Sequence, residues 1–139
     1  MPTLSRLWIK AGILHFMTAM LIGVAIRAGA LAPLSLDPVA WTPVFYHLLM
    51  VGWITQIIMG VSWWMFPVLG RQRPRGPEWL GWVALFALNG GLILRILGEP
   101  VSATAPVMLV SVLLVVSGLL QVVGGGAYVL LIWPRVRTR

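Results

Sequence analysis

The chain contains no cysteine and very few charged residues. Its 139 residues include 10 Lys and Arg, 3 Asp and Glu, and 2 His. Without cysteine it cannot form disulfides, zinc–thiolate sites, iron–sulfur clusters or thioether-linked haem. Charged residues make up 9% of the sequence, whereas soluble domains carry about 25%. So few charges cannot coat the outside of a soluble helical domain, and lipid is the expected solvent for this surface.

Apolar residues are abundant, at 60% of the chain, and they are grouped in four long segments. A membrane-spanning helix needs about 20 mostly apolar residues. Segments at roughly 9–29, 44–68, 79–97 and 107–133 meet this requirement. The breaks between them contain Pro33, Asp37, Pro38 and Pro43, then the Arg- and Pro-rich run 70–77, then Gly98, Glu99, Pro100 and Pro106. The sequence therefore predicts an all-α, integral membrane four-helix bundle with a single domain over 1–139.

The distribution of basic residues predicts the orientation, because Lys and Arg that flank membrane spans stay on the cytoplasmic side. If the chain crosses four times, the opposite side holds Arg27, Arg95, Asp37 and Glu99. The basic side holds Arg6, Lys10, Arg71, Arg73, Arg75, Arg135, Arg137 and Arg139. We therefore expect an inner-membrane protein with both termini in the cytoplasm. This topology accounts for the net charge of +7 without a nucleic-acid partner.

Small and polar residues recur at helical spacing on two of the predicted spans. Gly52, Gln56 and Gly60 share one stripe of the second span. Such stripes let membrane helices approach closely, so bundle packing is their expected role. A second predicted seam lies on the fourth span and consists of Ser111, Leu114, Gly118, Gln121, Gly125 and Tyr128.

Polar and ionisable side chains within a membrane span are costly, and each needs a reason. The main candidates are His15, His47, Arg27 and Arg95. Weaker candidates are Gln56, Asn89 and Gln121. No carboxylate falls inside the predicted spans, which argues against a proton-relay transporter and against a carboxylate metal site.

His47 lies four residues into the second predicted span, about 6 Å from its outer end at 1.5 Å per residue. One interpretation is an interfacial histidine that reaches water. The other is a neutral imidazole offered to a metal, above all haem iron. Arg27 and Arg95 close their spans on the same side and are suited to bind haem propionates. Their alternatives are an i,i+4 ion pair of Arg95 with Glu99 and an interfacial position of Arg27.

His15 is expected near the other membrane face, because it follows Lys10 by five residues. On this reasoning it differs in depth from His47 by roughly 15 Å. Two axial ligands of one iron lie about 4 Å apart, at twice a metal–nitrogen distance of about 2 Å. His15 and His47 of one chain should therefore not share a haem. His15 is either an independent ligand or a packed histidine bonded across the bundle.

One part of the second span carries a family resemblance. It comprises the stretches from Tyr46 to Trp53 and from Gly60 to Pro67, followed by Gly70 and Arg71. These stretches resemble the second transmembrane helix of the catalytic subunit of haem–copper oxidases, in particular cbb3-type oxidases and nitric oxide reductases. In that family a histidine near the outer end of this helix is an axial ligand of low-spin haem b, and His47 matches it in position. The resemblance thus implies a non-covalent haem b on His47, with His15 as a weaker alternative ligand.

The chain also departs from that family. The family's subunit has many more helices, and its later histidines build the binuclear centre, whereas this chain has only 2 His in total. Reduction of oxygen or nitric oxide by this chain alone is therefore not expected. The expected function is a small haem b-binding membrane protein for electron transfer, gas sensing or an accessory role to an oxidase or reductase. The alternative is a haem-free structural or assembly subunit of a respiratory complex. The expected partners are lipid and either further copies of the chain or a respiratory subunit.

The topology is testable with reporter fusions. Fusions after Arg75 and after Arg139 should report a cytoplasmic location, and a fusion near Asp37 a periplasmic one, because the basic flanks stay inside. A periplasmic signal from the Arg139 fusion would contradict the predicted orientation.

Overall fold

A computed structural model of the chain describes residues 1–31, 37–70, 75–104 and 107–136. These residues form four long helices: α1 (Thr3–Arg27), α2 (Pro38–Met65), α3 (Glu78–Thr104) and α4 (Met108–Ile132), the last extended by a 3₁₀ turn, Trp133–Arg135. The described part of the chain contains no strand. All four helices are long and apolar enough to cross a membrane. The predicted all-helical fold class is confirmed.

Helix α2 begins at Pro38, six residues before the predicted start at 44. The side chain of Asp37 accepts a hydrogen bond from the backbone N–H of Val39 at 2.9 Å and caps the helix. Proline is tolerated in the first turn, because those N–H groups have no helical partner. Two of the residues that suggested a break, Asp37 and Pro38, therefore start the helix. Pro43 lies inside it, and Pro33 is outside the described residues.

Helix α3 continues past the predicted end at 97 and runs to Thr104. Pro100 lies inside it, and Glu99 is almost completely buried, with 7% of its surface exposed. The Gly98–Glu99–Pro100 sequence was expected to end this span. Instead, the helix continues through this sequence. Glu99 is buried in the bundle, where its charge is balanced by Arg95. Helix α1 begins at Thr3, six residues before the predicted start at 9. Its first turns are part of the packed interior, because Leu4, Ser5 and Trp8 are fully buried.

The middle of α2, from Leu48 to Thr55, is a π-helix between two α-helical parts, Pro38–His47 and Gln56–Met65. The hydroxyl of Thr55 donates to the carbonyl of Met50 at 2.8 Å. π-helical segments are rare and often lie at functional sites. His47 is the last residue before this segment, so the widened turns begin directly after it.

Helices α1 and α2 approach each other closely at glycines. A Cβ on Gly52 would lie 2.8 Å from Cβ of His15, and one on Gly60 would lie 2.8 Å from Cβ of Trp8. Gly12 contributes the same kind of contact from α1, against Ile57. The predicted stripe of Gly52, Gln56 and Gly60 is buried throughout, as its proposed packing role requires.

The predicted seam on α4 is wrong at half of its positions. Ser111 is exposed, and Gly118 and Gly125 have no neighbour that an added Cβ would meet within 4 Å. The small residues that are buried instead lie one position earlier, at Ser117 and Gly124. Leu114, Gln121 and Tyr128 do face other helices: Leu114 packs on Gly98, Gln121 on Gly91, and Tyr128 bonds to Met59.

The weaker polar candidates are hydrogen-bonded inside the bundle. The amides of Gln56 and Asn89 exchange hydrogen bonds at 3.2 and 3.3 Å between α2 and α3. Within α4, Gln121 donates to the hydroxyl of Ser117 at 3.3 Å, and that hydroxyl donates to the carbonyl of Gly91 on α3 at 2.7 Å. The bonds between helices contribute about 1 kcal/mol each in membranes. These side chains hold the helices together and need no ligand.

Arg135 closes the bundle at the end where α2 terminates. Its side chain is buried, with 2% exposed, and it donates to the carbonyls of Trp63, Phe66 and Pro67 at 2.6–3.0 Å. The last carbonyls of a helix lack helical partners and carry partial negative charge. The guanidinium of α4 therefore caps the C-terminus of α2. Of the other basic residues of the predicted cytoplasmic side that follow α2 or α4, Arg75 is described, and Arg71, Arg73, Arg137 and Arg139 lie outside the described residues.

Replacement of Arg135 by Met should destabilise the protein, because Met keeps an apolar stem but leaves three carbonyls without their donor. We expect the free energy of unfolding to fall by about 2 kcal/mol. The measurement is the thermal unfolding midpoint in detergent micelles. Arg6→Met, at an exposed position of α1, is the control, and equal melting of both variants would contradict the capping role.

Candidate histidine site at the start of helix α2

His47 lies against α3 and is held there through one ring nitrogen. Its Nδ1 is 2.9 Å from the carbonyl oxygen of Pro43, one turn earlier, and 3.3 Å from Oε1 of Glu99. The imidazole is partly exposed, at 30%, whereas Glu99 is buried. Helices α2 and α3 thus each supply one acceptor to the same nitrogen.

Glu99 is in turn held by Arg95 of its own helix. Nη1 of Arg95 lies 2.6 Å from the same oxygen, Oε1, that faces His47. The expected absence of a carboxylate from the spans is therefore wrong, because Glu99 lies within the candidate span Glu78–Ala103. The i,i+4 ion pair that was one of two interpretations of Arg95 is present in the structure. Its positive charge balances the carboxylate.

Two acceptors lie around Nδ1 of His47. Neither a carbonyl nor a carboxylate oxygen can donate, so Nδ1 carries the hydrogen. In the tautomer with hydrogen on Nδ1 and none on Nε2, the lone pair that could bind a metal is on Nε2. Among the described residues Nε2 makes no hydrogen bond, and it is not buried. This is the arrangement of a metal-binding histidine, in which the second nitrogen is oriented by a carboxylate or a carbonyl.

Two further polar atoms of the cluster are buried and unpaired. Oε2 of Glu99 and Nε of Arg95 have no hydrogen-bond partner in the described part of the chain. Buried polar atoms are nearly always satisfied, so each such atom calls for an explanation. Arg95 thus retains donors for an additional anionic or polar group beside His47.

Arg27, the other predicted propionate partner, lies elsewhere. It is exposed at the end of α1 and lines an open cavity of about 900 Å³ between α1 and α2. The described residues that line this cavity include Met20, Val24, Thr42, Phe45 and Tyr46, but neither His47 nor Arg95. The structure therefore brings His47 and Arg95 together and places Arg27 in a separate site.

His15 also lies apart from His47. It packs on Gly52 within the π-helical segment, five residues after His47. At 1.5 Å per residue this is about 7 Å along α2, roughly half the depth difference expected from the sequence. Its Nδ1 is buried without a well-formed hydrogen bond among the described residues. The two histidines contact different helices, since His15 comes from α1 and His47 faces α3.

The sequence did not predict that Glu99 contacts His47. Its i,i+4 spacing from Arg95 was visible, but its contact with His47 joins residues that are far apart in the sequence. No group of three or more His, Cys, Asp or Glu that could hold a metal ion occurs among the described residues. A ligand on His47 would therefore have to bring its own coordinating atoms, as a porphyrin does.

Comparison of the chain with protein-family models, with curated proteins and with solved structures finds no match. The class of protein that the fold defines is an all-helical chain with four helices able to span a membrane, which is consistent with a multi-pass membrane protein.

The ion pair predicts an asymmetry between two substitutions. Arg95→Ala leaves Glu99 buried without its counter-charge, which costs on the order of 2–5 kcal/mol. Glu99→Ala should cost less, because Arg95 is 24% exposed and its long side chain can turn toward water. The double Ala variant should melt above Arg95→Ala, as measured by thermal unfolding in micelles. A double variant that melts below both single variants would contradict this account.

Proposed function

We propose that the chain binds a non-covalent haem b through Nε2 of His47. The observation that carries this proposal is the position of Nδ1, which is hydrogen-bonded to the Pro43 carbonyl and lies 3.3 Å from Oε1 of Glu99, while Nε2 has no hydrogen bond among the described residues. The resemblance of this part of α2 to the haem-binding helix of haem–copper oxidases supports the same ligand.

Arg95 is the propionate partner in this proposal. One of its nitrogens is engaged by Glu99, and Nε is buried and without a partner among the described residues. Guanidinium groups bind carboxylates through parallel hydrogen bonds. The predicted propionate role of Arg27 stays a prediction, and the separate position of Arg27 gives it no support.

A bound haem supplies a one-electron redox couple and, where one axial position is open, a binding place for a diatomic gas. The residues of this chain orient the imidazole and place a carboxylate close to its Nδ1. That carboxylate makes the ligand more electron-rich and so favours ferric iron. We assign the protein to electron transfer, gas sensing or an accessory role, in the inner membrane with both termini in the cytoplasm, and not to catalysis by itself.

A second copy of the chain is the proposed source of the other axial ligand. The side chain of His47 is 30% exposed, and Tyr46 and Met50, one residue before it and three residues after it, are exposed as well. A two-fold axis along the membrane normal would bring a second His47 to the same depth. His15 is not the proposed second ligand from the same chain, because it belongs to α1 and packs on Gly52 of α2, five residues after His47.

A haem-free structural or assembly subunit is the second candidate. The Arg95–Glu99 ion pair favours it, because the charges of the cluster are already balanced within the chain. On this view His47 only completes the contact between α2 and α3.

Visible spectroscopy of the purified protein separates the two candidates. The haem proposal predicts a Soret band and b-type reduced peaks in the wild type. His47→Gly should lose them, and added imidazole should restore them by filling the vacated ligand position. His15→Gly, which removes the only other histidine, should keep the spectrum.

Each result has one meaning for the proposal. A wild type without any haem spectrum, after expression with ample haem, would support the structural role. Loss of haem with His15→Gly but not with His47→Gly would reverse the ligand assignment. Electron paramagnetic resonance then tests the pairing: a low-spin ferric signal from a dimer supports two His47 ligands, and the same signal from a monomer contradicts the shared haem.

A further inference from the structure

The cavity between α1 and α2 has a charged end and an apolar wall. Arg27, the last residue of α1, lies at the end of the bundle where α2 begins, and it makes no hydrogen bond or ion pair among the described residues. The wall below it is formed by Met20, Val24 and Phe45. The cavity measures about 900 Å³ and is open to the outside of the chain.

The depth of this cavity indicates the shape of its occupant. Met20 and Arg27 are seven residues apart on one helix, which is about 10 Å at 1.5 Å per residue. Half of the hydrocarbon core of a bilayer is about 15 Å thick. An occupant with its charged group at Arg27 therefore has its apolar part along the wall, within a single leaflet. A free anion would use the guanidinium but leave the apolar wall uncovered.

A second donor lines the same cavity as the guanidinium. The hydroxyl of Tyr46, which also lines the cavity, makes no hydrogen bond among the described residues. The hydroxyl of Thr42 is engaged, because it donates to the carbonyl of Pro38 at 3.1 Å. Arg27 and Tyr46 together offer an unpaired cation and an unpaired O–H to one head group, which matches the phosphate of a lipid.

We propose that this cavity binds one anionic phospholipid, with its phosphate on Arg27 and Tyr46 and an acyl chain along Met20, Val24 and Phe45. The lipid becomes part of the contact between α1 and the first turns of α2. This inference does not rest on haem binding, because none of the cavity residues that it uses belongs to the His47–Glu99–Arg95 cluster.

Native mass spectrometry of the detergent-purified protein tests the charged end. Phosphatidylglycerol and phosphatidylcholine with the same acyl chains are added in separate titrations. The wild type should retain one phosphatidylglycerol in preference to phosphatidylcholine. Arg27→Gln should weaken that retention about tenfold or more, because one charge-assisted contact is lost. Arg6→Gln, on the other end of the same helix, should keep the preference.

A second pair of variants tests the apolar wall. Val24→Phe adds bulk inside the cavity and should weaken phosphatidylglycerol retention several-fold with Arg27 intact. Val122→Phe is its control, because Val122 is similarly exposed, at 72% against 66%, and lies on α4 away from the cavity.

Four outcomes would overturn the proposal. They are equal retention of the two lipids by the wild type, equal retention by Arg27→Gln and wild type, equal weakening by Val24→Phe and Val122→Phe, and displacement of the lipid by inorganic phosphate at equal concentration. Loss of haem absorbance in Arg27→Gln would instead assign Arg27 to the haem. A wild type without haem that still prefers phosphatidylglycerol would refute the function proposed above and leave this inference standing.

Discussion

In a helix that crosses a membrane, a polar side chain has no water to bond with and is stabilised by a partner within the protein. This requirement organises the bundle. It pairs Gln56 with Asn89 and sets Arg135 on the last carbonyls of α2. It also allows Glu99 to be buried, because Arg95 balances its charge. The packing of α2 on its neighbours follows from these pairings, together with the glycines that let α1 approach.

Hydropathy was sufficient to predict the number and class of the helices, but not where they end. Pro38 and Pro100 were interpreted as breaks, although proline stops a helix only where its missing N–H or its ring cannot be accommodated. The small residues on the buried face of α4 were misplaced by one position, because small residues occur on adjacent stripes and periodicity alone cannot choose between them. Contact between His47 and Glu99 was not predictable, because it depends on how α2 and α3 are rotated against each other.

The candidate site residues were also predicted only in part. His47 and Arg95 were recognised from the cost of placing polar groups in a span, and they lie in one cluster. Arg27 was grouped with them because it ends its span on the same side of the membrane. The depth of a residue in the membrane does not tell which neighbouring helix its side chain faces. The cavity that Arg27 lines instead is formed by residues of two helices, which no single stretch of sequence displays. Haem on His47 and lipid on Arg27 are thus separate proposals that use different residues.

The π-helical segment Leu48–Thr55 sets the angular phase between the two ends of α2. Each residue of an α-helix turns the chain by about 100°, and a residue of the wider helix turns it by less. Over eight residues the difference rotates His47 relative to Gln56 and Gly60 about the helix axis. A gene that lost one codon in this segment would encode a helix with the same hydropathy and nearly the same length. Because a π-helical turn accommodates one residue more than an α-helical turn, such a helix could run as a regular α-helix, keep the direction of His47 and lose only the widened turns.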